Sequence, residues 1–312
     1  MCWSTAAWCC TRVSKPAPGP GGSCAPLKLL AQHTRAAMNT QYPGAQVKPS
    51  APALPDWLSL QGAVAVVTGG GTHLGLAMAT ALTQLGAEVH LVGRRADVLE
   101  SAVQTLRQQG ASAHAHPADA ADEAAMQIAV QRAWQSHQRL DVMVCNAGGG
   151  QGREMAPDIS VKDLEATLRN NVTSTLVCAQ VGARAMMPAR QGAIITVGSI
   201  HATLGSDPRL YGPEFKRSSQ SYHAAKGAIL NLTRALACEL AQHGLNVNCI
   251  SPGQIPKPGI DPITRERFTA QVPLGRLGLP TDLNGAVALF ASPAGRWITG
   301  QNLIVDGGWS AW

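Results

Sequence analysis

Residues 57–312 read as one doubly wound α/β domain, a parallel sheet of about seven strands with helices on both faces. Three observations predict it. From Gln61 onward, short apolar runs alternate with longer amphipathic stretches, the pattern of repeated βαβ units whose strands are covered on both sides. A glycine-rich turn, Thr68-Gly-Gly-Gly-Thr-His-Leu-Gly75, directly follows the first apolar run. No internal repeat divides the stretch, so a single sheet accounts for it.

The elements follow in order. A-V-A-V-V-T is the first strand, ending at Gly69 to Gly71, and a helix runs through Leu74 to Leu85. A-E-V-H-L-V is the second strand, with a helix over Arg94 to Gln109. A-S-A-H-A-H-P is the third, followed by a helix over Asp122 to His137. L-D-V-M-V-C is the fourth, and one long helix is expected over Ser160 to Met187. G-A-I-I-T-V is the fifth, with a helix over Gln220 to His243; L-N-V-N-C-I is the sixth and Q-N-L-I-V-D a late seventh.

Composition narrows the function classes. The chain of 312 residues is 45% apolar, enough for a substantial core. No run approaches ~18 consecutive apolar residues, so no membrane span is expected. The net charge of +6 invites a nucleic-acid reading. However, residues 1–55 hold Arg12, Lys15, Lys28, Arg35 and Lys48 and no acid, leaving 20 basic against 19 acidic side chains for the other 257 residues. The folded part is nearly neutral, and no nucleic-acid partner is expected.

Of eight cysteines, Cys2, Cys9, Cys10 and Cys24 lie in the tail, and Cys145, Cys178, Cys238 and Cys249 stand singly among apolar neighbours. None has the C-x-x-C spacing of a zinc site, so no metal is expected. Buried free thiols suit a reducing, cytoplasmic setting. Residues 1–56, with P-A-P-G-P-G-G and P-S-A-P-A-L-P and no sustained period, read as a disordered extension. An organelle-targeting segment and a true start at Met38 stay open beside that reading.

Two features point to chemistry. The glycine turn between strand and helix lets backbone amides approach a pyrophosphate at a helix N-terminus. At the end of the second strand, where an NAD site carries a carboxylate, stand Gly93, Arg94 and Arg95. Guanidinium groups suit a 2′-phosphate, so NADP is the expected cofactor, with NAD possible. Further along, Tyr222 and Lys226 sit four residues apart in S-Y-H-A-A-K-G-A, hence on one helix face. A neighbouring cation favours the tyrosinate, which equips the phenol to give and accept a proton.

Over essentially their whole length, residues 57–312 resemble the classical short-chain dehydrogenases/reductases. The motifs are T-G-x-x-x-x-x-G, Asp119 after the third strand, Asn146-Ala-Gly148 after the fourth, Asn171 in the long helix and Ser199 after the fifth. Tyr222 and Lys226, Pro252-Gly253 after the sixth strand and Asp306-Gly-Gly308 complete the set. The resemblance implies a Rossmann fold and an NADP(H)-preferring oxidoreductase that interconverts a secondary alcohol and a ketone. It implies catalytic roles for Asn171, Ser199, Tyr222 and Lys226. Cofactor contacts are implied for Thr68, Gly69, Gly71, His73, Leu74, Gly75, Arg94, Arg95, Asp119, Ala120, Asn146, Ala147, Gly148, Tyr222, Lys226, Pro252, Gly253 and Ile255. In that scheme Ser199 bonds the substrate oxygen, Lys226 also holds the nicotinamide ribose, and Asn171 supports a water linking Lys226 to solvent. Asp306-Gly-Gly308 is expected to be a turn element.

Two positions depart from the family pattern. His73 stands where a small residue is usual, crowding the phosphate or donating to it, and Lys257 replaces the usual threonine of P-G-x-x-x-T. Twenty-two residues lie between Ser199 and Tyr222, more than is common; this segment, with Arg209, Tyr211, Lys216 and Arg217, is expected to arch over the site. Its cations fit a hydroxylated or carboxylated substrate such as a sugar acid, and equally an ordinary charged loop. Asp261 to Gly278 corresponds to the family's substrate lid. Trp309 and Trp312 are expected at a subunit interface, since family members form dimers or tetramers. A catalytically silent nucleotide sensor or scaffold is the alternative, and an epimerase or lyase using the cofactor transiently is a third reading.

Overall fold

In the computed structural model, residues 54–150, 155–212 and 217–312 are described. The extension read from residues 1–56 therefore lies almost wholly outside the described residues, as does Lys216. Seven parallel strands line up in the order β3-β2-β1-β4-β5-β6-β7. They are β1 (Val64–Thr68), β2 (Glu88–Gly93), β3 (Ala113–Pro117), β4 (Val142–Cys145), β5 (Gly192–Val197), β6 (Leu245–Pro252) and β7 (Asn302–Val305). Each falls within or beside a predicted apolar run.

Strand alternation sends side chains into two separate cores. Ala65, Val67, Leu91, Val144 and Ile195 pack one face against α1 (His73–Gln84), α2 (Ala96–Gln108) and α8 (Asn284–Ala291), through Met78, Leu82, Leu106 and Phe290. Val64, Val66, Val92, Met143 and Ile194 pack the other against α3 (Glu123–His137), α5 (Ser174–Met186) and α6 (Gln220–Leu240). Each large apolar side chain fully removed from water contributes roughly 1.5–3 kcal/mol. Central strands sandwiched this way are apolar on both faces, as β1 and β4 are, whereas the edge strands β3 and β7 are only partly buried.

The long helix expected over Ser160 to Met187 is broken. It consists of α4 (Val161–Leu168), one π turn (Arg169–Thr173) and then α5. The lid segment contains a further helix, α7 (Pro262–Gln271), capped by the Asp261 carboxylate on the Thr264 amide at 2.9 Å. Cysteines depart from the expectation in two ways. Cys238 on α6 is exposed, and Cys145 and Cys178 are neighbours in the core; the Cys178 thiol and burial push the Cys145 thiol well up.

The strand order reverses between β1 and β4. Connections leave these two strands to opposite sides, and a crevice opens at their carboxyl ends. Among the described residues, no helix is long and apolar enough to cross a membrane.

Candidate active site

The crevice at this switch point is a cleft of about 930 Å³. Its floor is a cross-tie between the ends of β1 and β4. The fully buried Thr68 hydroxyl donates to the Val144 carbonyl (3.2 Å) and accepts the Asn146 and Ala147 amides (both 3.1 Å). Asn146 answers through Nδ2, which donates to the carbonyls of Thr68 (3.0 Å) and Gly69 (3.3 Å). Thr68 therefore braces the turn from behind and does not line the cleft.

The turn itself requires glycine. Gly69 has a φ of 63°, and a Cβ there would stand 2.8 Å from Asn146 Nδ2; at Gly75 the same atom would be 2.7 Å away. Helix α1 follows with Thr72 as N-cap, making no side-chain capping bond, and with no acid in its first turn. The first-turn amides and the positive helix end are thus available to an external anion. This backbone cradle fits a dinucleotide pyrophosphate.

His73 adopts a φ of 49°, the left-handed region that histidine tolerates better than most side chains. Its ring lies in the cleft wall, but Nε2 pairs with the Ile255 carbonyl at 3.0 Å. The imidazole expected to crowd or bond a phosphate is thus tethered to the segment after β6.

Arg94 and Arg95 line the cleft beyond β2, both exposed, and among the described residues neither is held in an ion pair. Asp119 lines it after β3. Partial burial pushes its carboxyl up, but the Ala121 amide (3.0 Å) and the Arg169 guanidinium (2.9 Å) outweigh this and hold it below the ordinary value. The cap of α3 is Asp122, whose carboxylate accepts from the Ala125 amide at 3.1 Å. Gly71, Leu74, Ala120, Ala147, Gly148, Pro252, Gly253, Ile255 and Lys257 also line the cleft.

Ser199, Tyr222 and Lys226 meet at the other end of the same cleft. Ser199 lies two residues past β5; its Oγ accepts the His201 amide at 3.1 Å, leaving the hydroxyl hydrogen free to donate. Tyr222 sits in the first turn of α6, behind the Ser219 cap. Lys226, one turn on, places Nζ 5.5 Å from the Tyr222 ring centroid. It is 5% exposed and donates to the Val197 carbonyl at 2.8 Å, its one hydrogen bond among the described residues. An ammonium has three donors. Two are left for a ligand in the cleft, as ribose hydroxyls require.

Asn171 is buried beneath the cleft and does not line it. Within the π turn, Asn171 Nδ2 donates to the Thr167 carbonyl at 2.8 Å; the same side-chain amide grips Gly149 through its carbonyl (2.8 Å) and its N–H (3.2 Å). Asn171 therefore fixes the loop after β4 from below.

The loop between Ser199 and α6 corrects the sequence expectation. Arg217 lines the cleft, but Arg209 is paired with Asp207 at 2.8 Å and does not. Tyr211 packs edge-on against Phe268 of α7 at 5.2 Å. Trp309 is half-buried and meets Phe268 edge-on at 5.4 Å, and Trp312 is exposed. Asp306 is a turn element, accepting the Gly308 and Ser310 amides at 2.9 Å each.

Phe268 and His201 line the cleft and were not singled out in the sequence. His201 stands two residues after Ser199, a spacing that could have flagged it. Phe268 arrives from α7, which no strong periodicity announces. Burial first, and then the nearby His223, lower the His201 pKa to about 4.

Comparison with known proteins agrees with this geometry. A family model described as enoyl-(acyl carrier protein) reductase matches residues 71–310. Gluconate 5-dehydrogenase of Gluconobacter oxydans (strain 621H) is 33% identical over 259 residues, covering 81% of this chain and 97% of that protein. A short-chain type dehydrogenase/reductase from Mycobacterium marinum superimposes with a TM-score of 0.74 at 29% identity, over 82% of this chain and 98% of that one. Gluconate 5-dehydrogenase from Burkholderia cenocepacia J2315, solved with NADP and tartrate, superimposes with a TM-score of 0.75 at 27% identity, over 82% and 98%. The chain belongs to the classical short-chain dehydrogenase/reductase family, as an NAD(P)-dependent oxidoreductase that interconverts a secondary alcohol and a ketone.

Proposed function

We propose that Tyr222 gives and takes the proton at the substrate oxygen, that Ser199 orients this oxygen, and that the enzyme prefers NADP(H) and acts on a sugar acid or a related polyhydroxylated or carboxylated compound. The observation that carries this reading is the convergence of Ser199, Tyr222 and Lys226 in one cleft with the glycine turn. When bound, the nicotinamide supplies or accepts the hydride. The chain must then handle the proton and the charge that develops on oxygen.

Ser199 has a hydroxyl hydrogen to offer the substrate oxygen, and the Tyr222 phenol is the proton donor in reduction and, as the anion, the acceptor in oxidation. The Lys226 ammonium stands beside the ring, 5.5 Å from its centroid. Its two uncommitted donors suit the ribose hydroxyls, and Asn171, holding the loop after β4, supports a water through which Lys226 exchanges protons with solvent.

The NADP preference rests on Arg94 and Arg95, two guanidinium groups without an ion pair among the described residues, where an NAD site carries a carboxylate. For the substrate class, support comes from Arg217 in the cleft wall and from the gluconate dehydrogenases among the relatives, one holding NADP and tartrate. A homo-oligomer, dimer or tetramer, and a cytoplasmic location belong to the same proposal. The silent-sensor alternative leaves the paired Tyr222 and Lys226 without a task.

Titrating the purified protein with NADPH and NADH, followed by nicotinamide fluorescence, tests the cofactor reading. Tighter NADPH binding is expected, and R94A/R95A should weaken it by roughly ten- to a hundredfold while leaving NADH unchanged. Tighter NADH binding by the native protein would refute the preference.

A further inference from the structure

At the opposite end of the sheet from the cleft, three imidazoles gather around one carboxylate, with a fourth behind them. Glu88 opens β2, and His90 follows two residues later on the same sheet face. The register pairs His90 with His114 of β3, bringing their rings into a stack with centroids 4.7 Å apart. His137, the last residue of α3, closes over this face.

The nitrogen atoms point at the carboxylate. Glu88 Oε1 is 2.9 Å from His90 Nε2 and 3.7 Å from His114 Nε2, and Glu88 Oε2 is 3.5 Å from His137 Nε2. One donor atom each of Glu88, His90 and His114 lies within 4.8 Å of the others. Two ligands of a tetrahedral zinc ion, each about 2.0–2.1 Å from the metal, stand roughly 3.3 Å apart. The observed separations bracket that value. Ser112 Oγ donates to Glu88 Oε2 at 2.8 Å, which orients the carboxylate.

Behind the ligands lies the support such a site needs. His90 Nδ1 pairs with His116 Nε2 at 2.9 Å, and a metal-bound histidine gains its orientation and tautomer from a partner on its other nitrogen. His116 is buried, and its Nδ1 has no hydrogen-bond partner among the described residues. A buried polar atom left without a partner is costly, and a role for the cluster it supports accounts for its being kept. His114 and His137 are 41% and 49% exposed, so an ion can enter from solvent.

We propose that Glu88, His90, His114 and His137 form a binding site for one divalent transition-metal ion of the zinc type, with His116 supporting His90. Imidazole and carboxylate donors suit zinc, cobalt, nickel and copper rather than magnesium or calcium. The ion would tie the edge strand β3 and the end of α3 to β2. It lies at the amino ends of the strands, away from Ser199, Tyr222 and Lys226, so its role is structural. The sequence expectation of no metal rested on cysteine spacing, and these ligands come from three elements with no recognisable spacing.

The test uses the full chain, stripped with chelator and re-dialysed. Zinc content by elemental analysis, affinity by competition with a chromophoric chelator, and the visible spectrum of the cobalt(II) form are compared with those of H114A/H137A, whose two positions are exposed. One equivalent of zinc in the native protein, binding at least about tenfold weaker in the variant and unchanged turnover are expected. H114Q serves as a second, milder variant, expected to lose affinity and to alter the cobalt spectrum. Absence of stoichiometric zinc in the native protein would overturn the proposal. Zinc bound equally by the native and variant proteins would place the ion elsewhere and overturn it as well.

Discussion

Tyr222→Phe separates chemistry from folding more cleanly than any other change in this protein. It removes one oxygen, and among the described residues the Tyr222 hydroxyl makes no hydrogen bond that would be lost with it. The ring keeps its edge contact with His201 at 6.2 Å and its place 5.5 Å from Lys226 Nζ. Stability should therefore change by no more than about 0.5 kcal/mol, within the range of a substitution that breaks no packing or network. Removing a positioned proton donor costs typically 10²–10⁴ in rate, which at about 1.36 kcal/mol per tenfold is roughly 3–5 kcal/mol of barrier. The assay follows nicotinamide absorbance with a polyol or keto-acid substrate found by screening, together with a urea unfolding curve and a cofactor titration. Expected are a collapsed kcat, an unchanged cofactor Kd and an unchanged urea midpoint. A variant that keeps a tenth or more of the native kcat would refute Tyr222 as the proton carrier. Loss of kcat accompanied by a shifted urea midpoint would refute the claim that the hydroxyl is structurally idle.

Asn171→Ala should behave in the opposite way. It deletes three bonds from a buried side chain, two of them holding Gly149, so a loss of about 2–4 kcal/mol by urea unfolding is expected, with weakened cofactor binding as the loop after β4 loosens. An unchanged midpoint would remove Asn171 from its bracing role. The pH dependence of stability should carry the signature of His201, whose folded pKa is about 4 against 6.5 for the free side chain. Because the unfolded chain binds the proton more readily, this contribution is complete above about pH 6.5 and is lost as pH falls toward 4, by about 2–3 kcal/mol. His201→Gln should flatten that part of the stability profile, and coincident native and variant profiles between pH 7 and 4.5 would refute the assignment.

The sequence alone determined the central strands, because a strand buried on both faces must be an apolar run, and the glycine turn, because a backbone that passes so close to Asn146 excludes a Cβ. The pairing of Tyr222 with Lys226 was equally local, one helical turn on one face. Other features required the tertiary structure. The helix expected over Ser160–Met187 carries a continuous helical signal, and only the structure shows the π turn from which Asn171 holds Gly149. The loop cations looked alike in sequence, yet Arg209 is taken by Asp207 while Arg217 faces the cleft. The contact of Trp309 with Phe268 joins residues 41 apart in the chain, which only the placement of α7 brings together. The histidines of β2, β3 and α3 meet through strand register and helix docking, separations of 2 to 47 residues that leave no pattern along the chain. Periodicity reports which face of an element is buried; which distant element covers it is decided when the crossovers pack.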